Sequence, residues 1–160
     1  MEANPLPPTK ADPEQEAVTN WLDSPLIIEC MTKSEGKIII APGLNIWPHE
    51  RTTAESLAEA GYIVEFVKKS EIDYEKSADV FLDGVLWEFK APRASNTKAI
   101  ERNLRRGLEQ SPCIAFDRRR MKGIPDSAVE RELRICAETR IKKLHHVIFI
   151  NRHGDVIDIK

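Results

Sequence analysis

The sequence lacks the features that would place it in a membrane or in a disulfide-bonded scaffold. Although 41% of its 160 residues are hydrophobic, no apolar run approaches the roughly 18–20 residues of a membrane span. Residues 1–10 do not show the charged-then-apolar layout of a secretory signal. The three cysteines (Cys30, Cys113 and Cys136) have no metal-type spacing, and each falls in an apolar pattern that predicts a small core residue. These absences indicate a globular chain without a membrane span, large enough for one domain with its own core.

Charge is unevenly distributed along the chain, although the net charge is only −2. Residues 1–89 contain 7 Lys and Arg against 17 Asp and Glu, whereas residues 90–122 contain 10 against 3. Such a concentration of positive charge predicts an anionic partner for the 90–122 segment.

The pattern of apolar residues predicts one α/β domain behind a short leader. Residues 1–14 hold four of the ten prolines and few apolar anchors, so we expect a flexible leader or linker there. A single domain should cover 15–160, with its core over about 45–120. From Pro48 to Asp117 the predicted order is αβββαβ, which gives a mixed sheet flanked by helices.

Further elements are expected on both sides of this core. Short strands are predicted before it, over residues 26–30 and 37–41. After it, a C-terminal helix should run from Asp126 or Ser127 to about Lys143, followed by a β-hairpin.

The central motif is a predicted hairpin, because Asp83-Gly84 joins two β-like runs over residues 77–90. A two-residue loop fixes the register, which places Asp79 opposite Glu88. Lys90 follows two residues later and therefore points to the same face. Two carboxylates in an apolar setting repel each other unless a cation joins them, so the motif predicts a metal site with a lysine beside it. The alternative is the exposed face of an amphipathic hairpin.

A third acid, Glu50, is expected on the helix that starts near Pro48. Ala54, Leu57 and Ala58 follow it at helical spacing, so Glu50 falls on the apolar stripe, which is unusual for an acid without a partner. The alternative is a favourable interaction of a first-turn carboxylate with the helix macrodipole.

Basic residues downstream of the hairpin are candidates for holding a phosphate backbone. They lie just after the motif, on the outer side of the next helix and after the strand that follows it. The set is Arg93, Lys98, Arg102, Arg105, Arg106, Arg118, Arg119, Arg120 and Lys122. A solvated helix face is the alternative, but two basic groups beside an acidic site fit a nucleic-acid track better.

The tryptophans and His49 are given structural roles. Trp21 and Trp47 are expected to be packing anchors and Trp87 a core residue, with no base stacking. His49, which precedes Glu50, is expected at a surface or turn position rather than as a general acid.

These residues carry a resemblance to known nucleases. An acid on the first helix, an Asp on the second strand and Glu-x-Lys on the third resemble the PD-(D/E)xK nuclease superfamily. Here the motif is Asp79, eight intervening residues, then Glu88-Phe89-Lys90, with Ala78 in place of the proline. More closely, Ala-Asp-Val-Phe-Leu-Asp-Gly-Val-Leu-Trp-Glu-Phe-Lys-Ala-Pro at 78–92 resembles the C-terminal nuclease domains of contact-dependent growth inhibition (CdiA-type) toxins. The resemblance covers about residues 45–160.

The resemblance implies a PD-(D/E)xK nuclease-like fold with Glu50, Asp79, Glu88 and Lys90 as catalytic residues. It implies that the three carboxylates hold a divalent metal, Mg²⁺ or else Mn²⁺ or Zn²⁺. If RNA is instead cleaved by attack of its own ribose 2′-hydroxyl, metal need not be essential, and the same residues would act as acid, base and charge stabiliser. The function implied is a toxin nuclease that cleaves RNA, tRNA in particular, in the cytoplasm of a target cell, after export as the C-terminal part of a larger toxin.

The resemblance also implies a cognate immunity protein, and the basic 90–122 segment predicts an acidic one. Two alternatives stay open: a metal-dependent DNA endonuclease toxin, and a non-catalytic nucleic-acid-binding or phage adaptor domain.

Overall fold

The computed structural model describes residues 35–68 and 77–160, which form a mixed α/β fold around a seven-stranded sheet. The strands are β1 (Lys37–Ile39), β2 (Ile63–Phe66), β3 (Val80–Leu82), β4 (Val85–Lys90), β5 (Cys113–Asp117), β6 (His146–Ile150) and β7 (Val156–Asp158). The helices are α1 (Pro48–Glu59), α2 (Lys98–Leu108) and α3 (Asp126–Ile135), followed by a π-helical turn (Cys136–Arg140). No helix in the two described ranges is long and apolar enough to span a bilayer. The leader predicted for 1–14 and the strand predicted for 26–30 lie outside the described residues.

The strands lie in chain order across the sheet, from β1 at one edge to β7 at the other. Strands β1 and β2 are parallel, as are β4, β5 and β6, while the β2–β3, β3–β4 and β6–β7 pairs are antiparallel. The αβββαβ order and the mixed sheet predicted from the sequence are confirmed.

The predicted hairpin register is also confirmed where the strands pair. Phe81 lies opposite Leu86, and the pairs on either side of it follow the same register. Both turn residues have positive φ, 47° at Asp83 and 81° at Gly84. Type I′ turns require this geometry, and the Asp-Gly sequence tolerates it at little cost.

Two hydrophobic clusters occupy opposite faces of the sheet, because alternate residues of one strand belong to different clusters. Ile114 and Phe116 of β5 pack with α2 and α3, whereas Cys113 and Ala115 pack on the α1 side. The sheet therefore separates α1 from α2 and α3, and the β3–β4 hairpin lies between them.

The C-terminal helix is shorter than predicted. It was expected to reach Lys143, but α3 ends at Ile135 and a π-helical turn continues to Arg140. The Ile141 amide donates to the Cys136 carbonyl at 2.8 Å, five residues back. The Thr139 hydroxyl also donates to the Ile135 carbonyl at 2.6 Å. These bonds replace the i to i−4 pattern and end the regular helix.

Candidate active site

The acids of the hairpin are buried, not displayed to solvent. Asp79 is 8% exposed and Glu88 is 3% exposed. Phe81 and Leu86, on the same predicted face, are partly exposed. This burial excludes the reading of the motif as an ordinary solvated face.

Asp79 and Lys90 each contact Glu88. The Lys90 ammonium forms an ion pair with Glu88 Oε1, and the Asp79 side chain is hydrogen-bonded to Glu88. Asp79 Oδ2 also accepts a hydrogen bond from the Phe89 amide at 2.9 Å. The structure therefore brings together the two carboxylates and the lysine that the hairpin register placed on one face.

The Glu88 carboxyl is partly protonated near neutral pH. Burial is the largest cause and, with the neighbouring Asp79 carboxylate, raises the pKa of Glu88 to about 7, against the opposing effect of Lys90. Near neutral pH the site therefore binds and releases a proton readily. Gln110, a residue that the sequence reasoning missed, adds a contact: with its amide nitrogen turned toward the site it donates to Glu88 Oε2 at 2.8 Å.

Glu50, on the first turn of α1, lies beside a cavity that Asp79 also lines. Glu50 Oε2 accepts a hydrogen bond from the Trp47 amide at 3.1 Å, which caps the start of α1. Glu50 and Asp79 also line one cavity of about 250 Å³, together with Phe66. Glu50 therefore both caps the start of α1 and lies close to Asp79, because the first turn of α1 borders this cavity.

His49 lies within the electrostatic reach of both the acids and the bases. Its pKa is lowered by partial burial first and by the Arg120 guanidinium next, with Glu50 and Asp79 acting in the opposite direction. A neutral imidazole at physiological pH follows from this balance. His49 is half-buried in the first turn of α1, whereas a surface or turn position was expected.

A basic pocket lies beside the acids. Arg93, Ser95, Arg120 and Lys122 line a cavity of about 500 Å³. Because β4 and β5 are parallel, the segments that follow them meet at one edge of the sheet. Arg120 Nη1 donates to the Ala91 carbonyl at 3.0 Å, which ties the two segments together. The cavity can accept an anion such as a phosphate.

Arg118 points into the protein, unlike the neighbouring pocket residues. It is 4% exposed and pairs with Asp126. It also donates to the Ile124 carbonyl at 2.9 Å. These contacts close the 118–126 loop, so Arg118, which was predicted to bind nucleic acid, is engaged inside the protein and does not line the basic pocket.

Arg119 is likewise engaged in internal contacts. It pairs with the buried Asp117 and donates to Ser56 Oγ at 3.0 Å and to the Thr52 carbonyl at 2.9 Å. Asp117 in turn accepts a hydrogen bond from Thr53 Oγ1 at 2.8 Å. The network fixes α1 to the end of β5.

The four basic residues of α2 share a groove on its outer face. Lys98, Arg102, Arg105 and Arg106 line a cavity of about 630 Å³ that also contains acids. Arg105 pairs with Glu101 at 2.7 Å. The groove is therefore basic overall but partly neutralised by its own carboxylates.

Within the described residues, one set of three metal-ligand side chains is close enough together to hold an ion, and this set lies at the groove of α2. Side-chain ligand atoms of Glu101, Glu132 and Cys136 lie within 4.8 Å of one another. Arg140 pairs with Glu101 at 3.2 Å and with Glu132, and its Nη1 lies 3.9 Å from Cys136 Sγ. This cluster could hold a metal ion, but the guanidinium already supplies the positive charge there.

Comparison with known proteins identifies the family of this chain. A family model for the contact-dependent growth inhibition CdiA C-terminal domain matches residues 76–156, and the chain belongs to that family. It is thus a toxin domain of contact-dependent growth inhibition. The match spans the hairpin acids, the basic segment, β5 and β6, and it ends at the first residue of β7.

A solved structure shares the fold. It is a CdiA-CT/CdiI toxin and immunity complex from Burkholderia pseudomallei, with 23% sequence identity and a TM-score of 0.52. The similarity covers 78% of this chain and 96% of that one. No curated protein matches the sequence.

Proposed function

We propose that this domain is a nuclease of the PD-(D/E)xK type that cleaves RNA, tRNA in particular, in the cytoplasm of a target cell. The observation that carries the proposal is the buried, hydrogen-bonded pair Asp79 and Glu88 with Lys90 beside it. Burying two adjacent carboxylates is costly, and a fold that needed only stability would gain from apolar residues there.

The donor set fits a divalent metal of the Mg²⁺ type. Asp79 and Glu88 offer neighbouring carboxylate oxygens, the ligands that hard cations prefer. The oxygens of Glu50, Asp79 and Glu88 do not all lie within 4.8 Å of one another, so Glu50, which shares a cavity with Asp79, would act on a metal-bound water. The raised pKa of Glu88 supports this fit, because a bound cation would favour the ionised pair. When bound, such an ion supplies Lewis-acid stabilisation of the phosphoryl oxygens and a more acidic water. Mn²⁺ and Zn²⁺ are the alternatives that the assay below can distinguish.

The side chains around the acids have complementary tasks in phosphodiester hydrolysis. Lys90 can orient the attacking oxygen or contact the scissile phosphate as a point charge. His49, held neutral by its surroundings, can accept a proton from the nucleophile. Arg93 and Arg120 can hold a neighbouring phosphate in the pocket that they line.

We also propose a protective partner, an acidic immunity protein. The related structure is a toxin with its immunity protein, and the cations around the pocket and along α2 offer a complementary surface. Opposite charge accelerates encounter and selects the partner. Export as the C-terminal part of a larger toxin belongs to the same proposal.

A cleavage assay separates the candidate functions. The purified chain is incubated with total tRNA and with plasmid DNA, each with added Mg²⁺, Mn²⁺ or Zn²⁺ or with EDTA. We expect cleavage of tRNA, loss of at least about 100-fold in rate for Glu88→Gln and Lys90→Met, and no loss for Glu55→Gln, which removes an exposed acid of α1.

The outcomes of this assay point to different proteins. Cleavage of plasmid but not tRNA would make the chain a DNA endonuclease. Binding of nucleic acid without any cleavage, under every metal condition, would refute the nuclease proposal and leave a binding module.

A further inference from the structure

Trp47 is the most exposed large hydrophobic side chain among the described residues, with 65% of its surface accessible. The expectation that it anchors the core is therefore wrong. It stands directly before α1, and its amide is bonded to Glu50 Oε2. This bond places the Trp47 backbone beside an acid of the candidate site, while most of the indole is exposed to solvent.

The space beside Trp47 adjoins the acidic cavity. Asn45, Ile46 and Trp47 line a cavity of about 190 Å³. Asn45 and Ile46 also line the cavity that contains Glu50 and Asp79. Asn45 therefore lies beside the acids, and Trp47 lines the space that adjoins their cavity. Arg93 and Arg120 of the basic pocket act on the pKa of His49, which precedes Glu50.

Resting on the proposed nuclease function, we infer that Trp47 stacks on an unpaired base of the nucleic acid next to the bond that is cut. An exposed indole provides a face for any base, and stacking of this kind tolerates sequence. Asn45 can donate to and accept from the edge of the stacked base. Bases inside a duplex already stack on each other, so this site selects loops or single strands.

Binding measurements test the inference with matched variants. The probes are a mixed-sequence single-stranded RNA 12-mer and an abasic strand of the same length, and EDTA with Glu88→Gln prevents cleavage. Trp47→Leu should weaken binding of the RNA at least about fivefold, whereas Trp47→Phe should stay within about twofold, because it keeps an aromatic face. Neither substitution should change binding of the abasic strand. Ile63→Ala, which trims an exposed side chain at the far end of β2, is the control for lost apolar surface.

Fluorescence provides an independent readout. The RNA should quench tryptophan emission, and Trp47→Phe should remove most of this quenching while affinity is kept. Circular dichroism and urea midpoints confirm that each variant folds, which is expected because the Trp47 amide bond to Glu50 does not need the indole. The inference would be overturned if Trp47→Leu and the parent protein bound the RNA with equal affinity. It would also be overturned if Trp47→Leu lost as much affinity for the abasic strand as for the RNA. Absence of RNA binding by the Trp47 chain itself would overturn it too.

The two proposals can fail separately. If the chain cleaves RNA but Trp47→Leu neither weakens binding nor alters KM, the stacking site is wrong and the nuclease stands. If RNA quenches Trp47 and binds tightly but no condition yields cleavage, the stacking site stands and the nuclease is wrong.

Discussion

The raised pKa of Glu88 makes a prediction about stability that needs no substrate. In the unfolded chain this carboxyl titrates near 4.5, and in the fold its pKa is about 7. The folded state therefore holds a proton that the unfolded state releases between these two values. Because the protonated form is favoured by folding, the contribution of Glu88 to stability is complete below pH 4.5 and is lost as the pH rises through 7.

The size of this effect follows from the shift. Each pKa unit corresponds to about 1.4 kcal/mol, so the apoprotein should lose about 3 kcal/mol of unfolding free energy from this group between pH 4.5 and pH 8. Glu88→Gln has the same shape without the ionisation and should lack this loss. The variant also loses the ion pair with Lys90, which changes its stability at any single pH. The change in stability between two pH values is therefore the quantity to compare.

Urea unfolding in EDTA at pH 5 and pH 8 measures the difference. The unfolding free energy of Glu88→Gln relative to the parent chain should rise by about 2–3 kcal/mol between the two pH values. Glu55→Gln, an exposed acid of α1, should follow the parent at both. Parallel profiles for Glu88→Gln and the parent chain would refute the reasoning, because they would mean that Glu88 ionises alike in both states. Added Mg²⁺ should stabilise the parent more at pH 8 than at pH 5, since binding displaces the proton.

Three further perturbations test how the site is built. Gly107→Ala should destabilise the chain by about 1–2 kcal/mol despite the helix preference of alanine, because the new Cβ would lie 2.8 Å from Ile114 Cδ1 and 3.2 Å from Lys90 Cε; a higher urea midpoint would contradict this. Thr53→Val should lower the unfolding free energy by about 1–3 kcal/mol, because buried Asp117 loses the hydroxyl that donates to it at 2.8 Å. Thr52→Val, on the exposed side of α1, should lower it by under about 0.5 kcal/mol. Similar urea midpoints for the two variants would show that the Thr53–Asp117 contact does not stabilise the fold. Combined Arg102→Ala and Arg106→Ala should reduce the salt slope of nucleic-acid binding by about 1–2, while Arg134→Ala, already paired with Glu130, should leave it unchanged; an unaltered slope in the double variant would remove α2 from the phosphate track.

The hairpin could be predicted from the sequence because local rules determine it. Asp83-Gly84 specifies the turn, the turn specifies the register, and the register places Asp79 beside Glu88. The αβββαβ order followed in the same way, from apolar periodicity and from Pro48 at the helix start. The hairpin acids and Lys90 were therefore accessible without coordinates.

Side-chain contacts within the folded domain determined the parts that the sequence did not reveal. Arg118 and Arg119 belong to one basic run with Arg120, yet they pair with Asp126 and Asp117 and do not line the basic pocket. Trp47 resembles a core residue in composition, but its place at the N-cap of α1 leaves it in solvent. Gln110 approaches Glu88 only because α2 packs against β4 through Gly107.

The ion pairs divide the basic residues of 90–122 into two groups. Of the ten basic residues in 90–122, Lys90, Arg105, Arg118 and Arg119 have carboxylate partners. Within the ranges 35–68 and 77–160, the other six have no ion pair, and they border the pocket beside the acids and the outer face of α2. The set is Arg93, Lys98, Arg102, Arg106, Arg120 and Lys122.

These six charges raise the local concentration of any polyanion at the site. The other four basic residues of 90–122 are neutralised by carboxylates within the protein. The charge of these six is therefore available to a ligand. A nucleic acid and an acidic immunity protein would then compete for one surface. Raising the salt concentration should therefore weaken both interactions together, and a partner whose affinity is insensitive to salt must bind elsewhere on the domain.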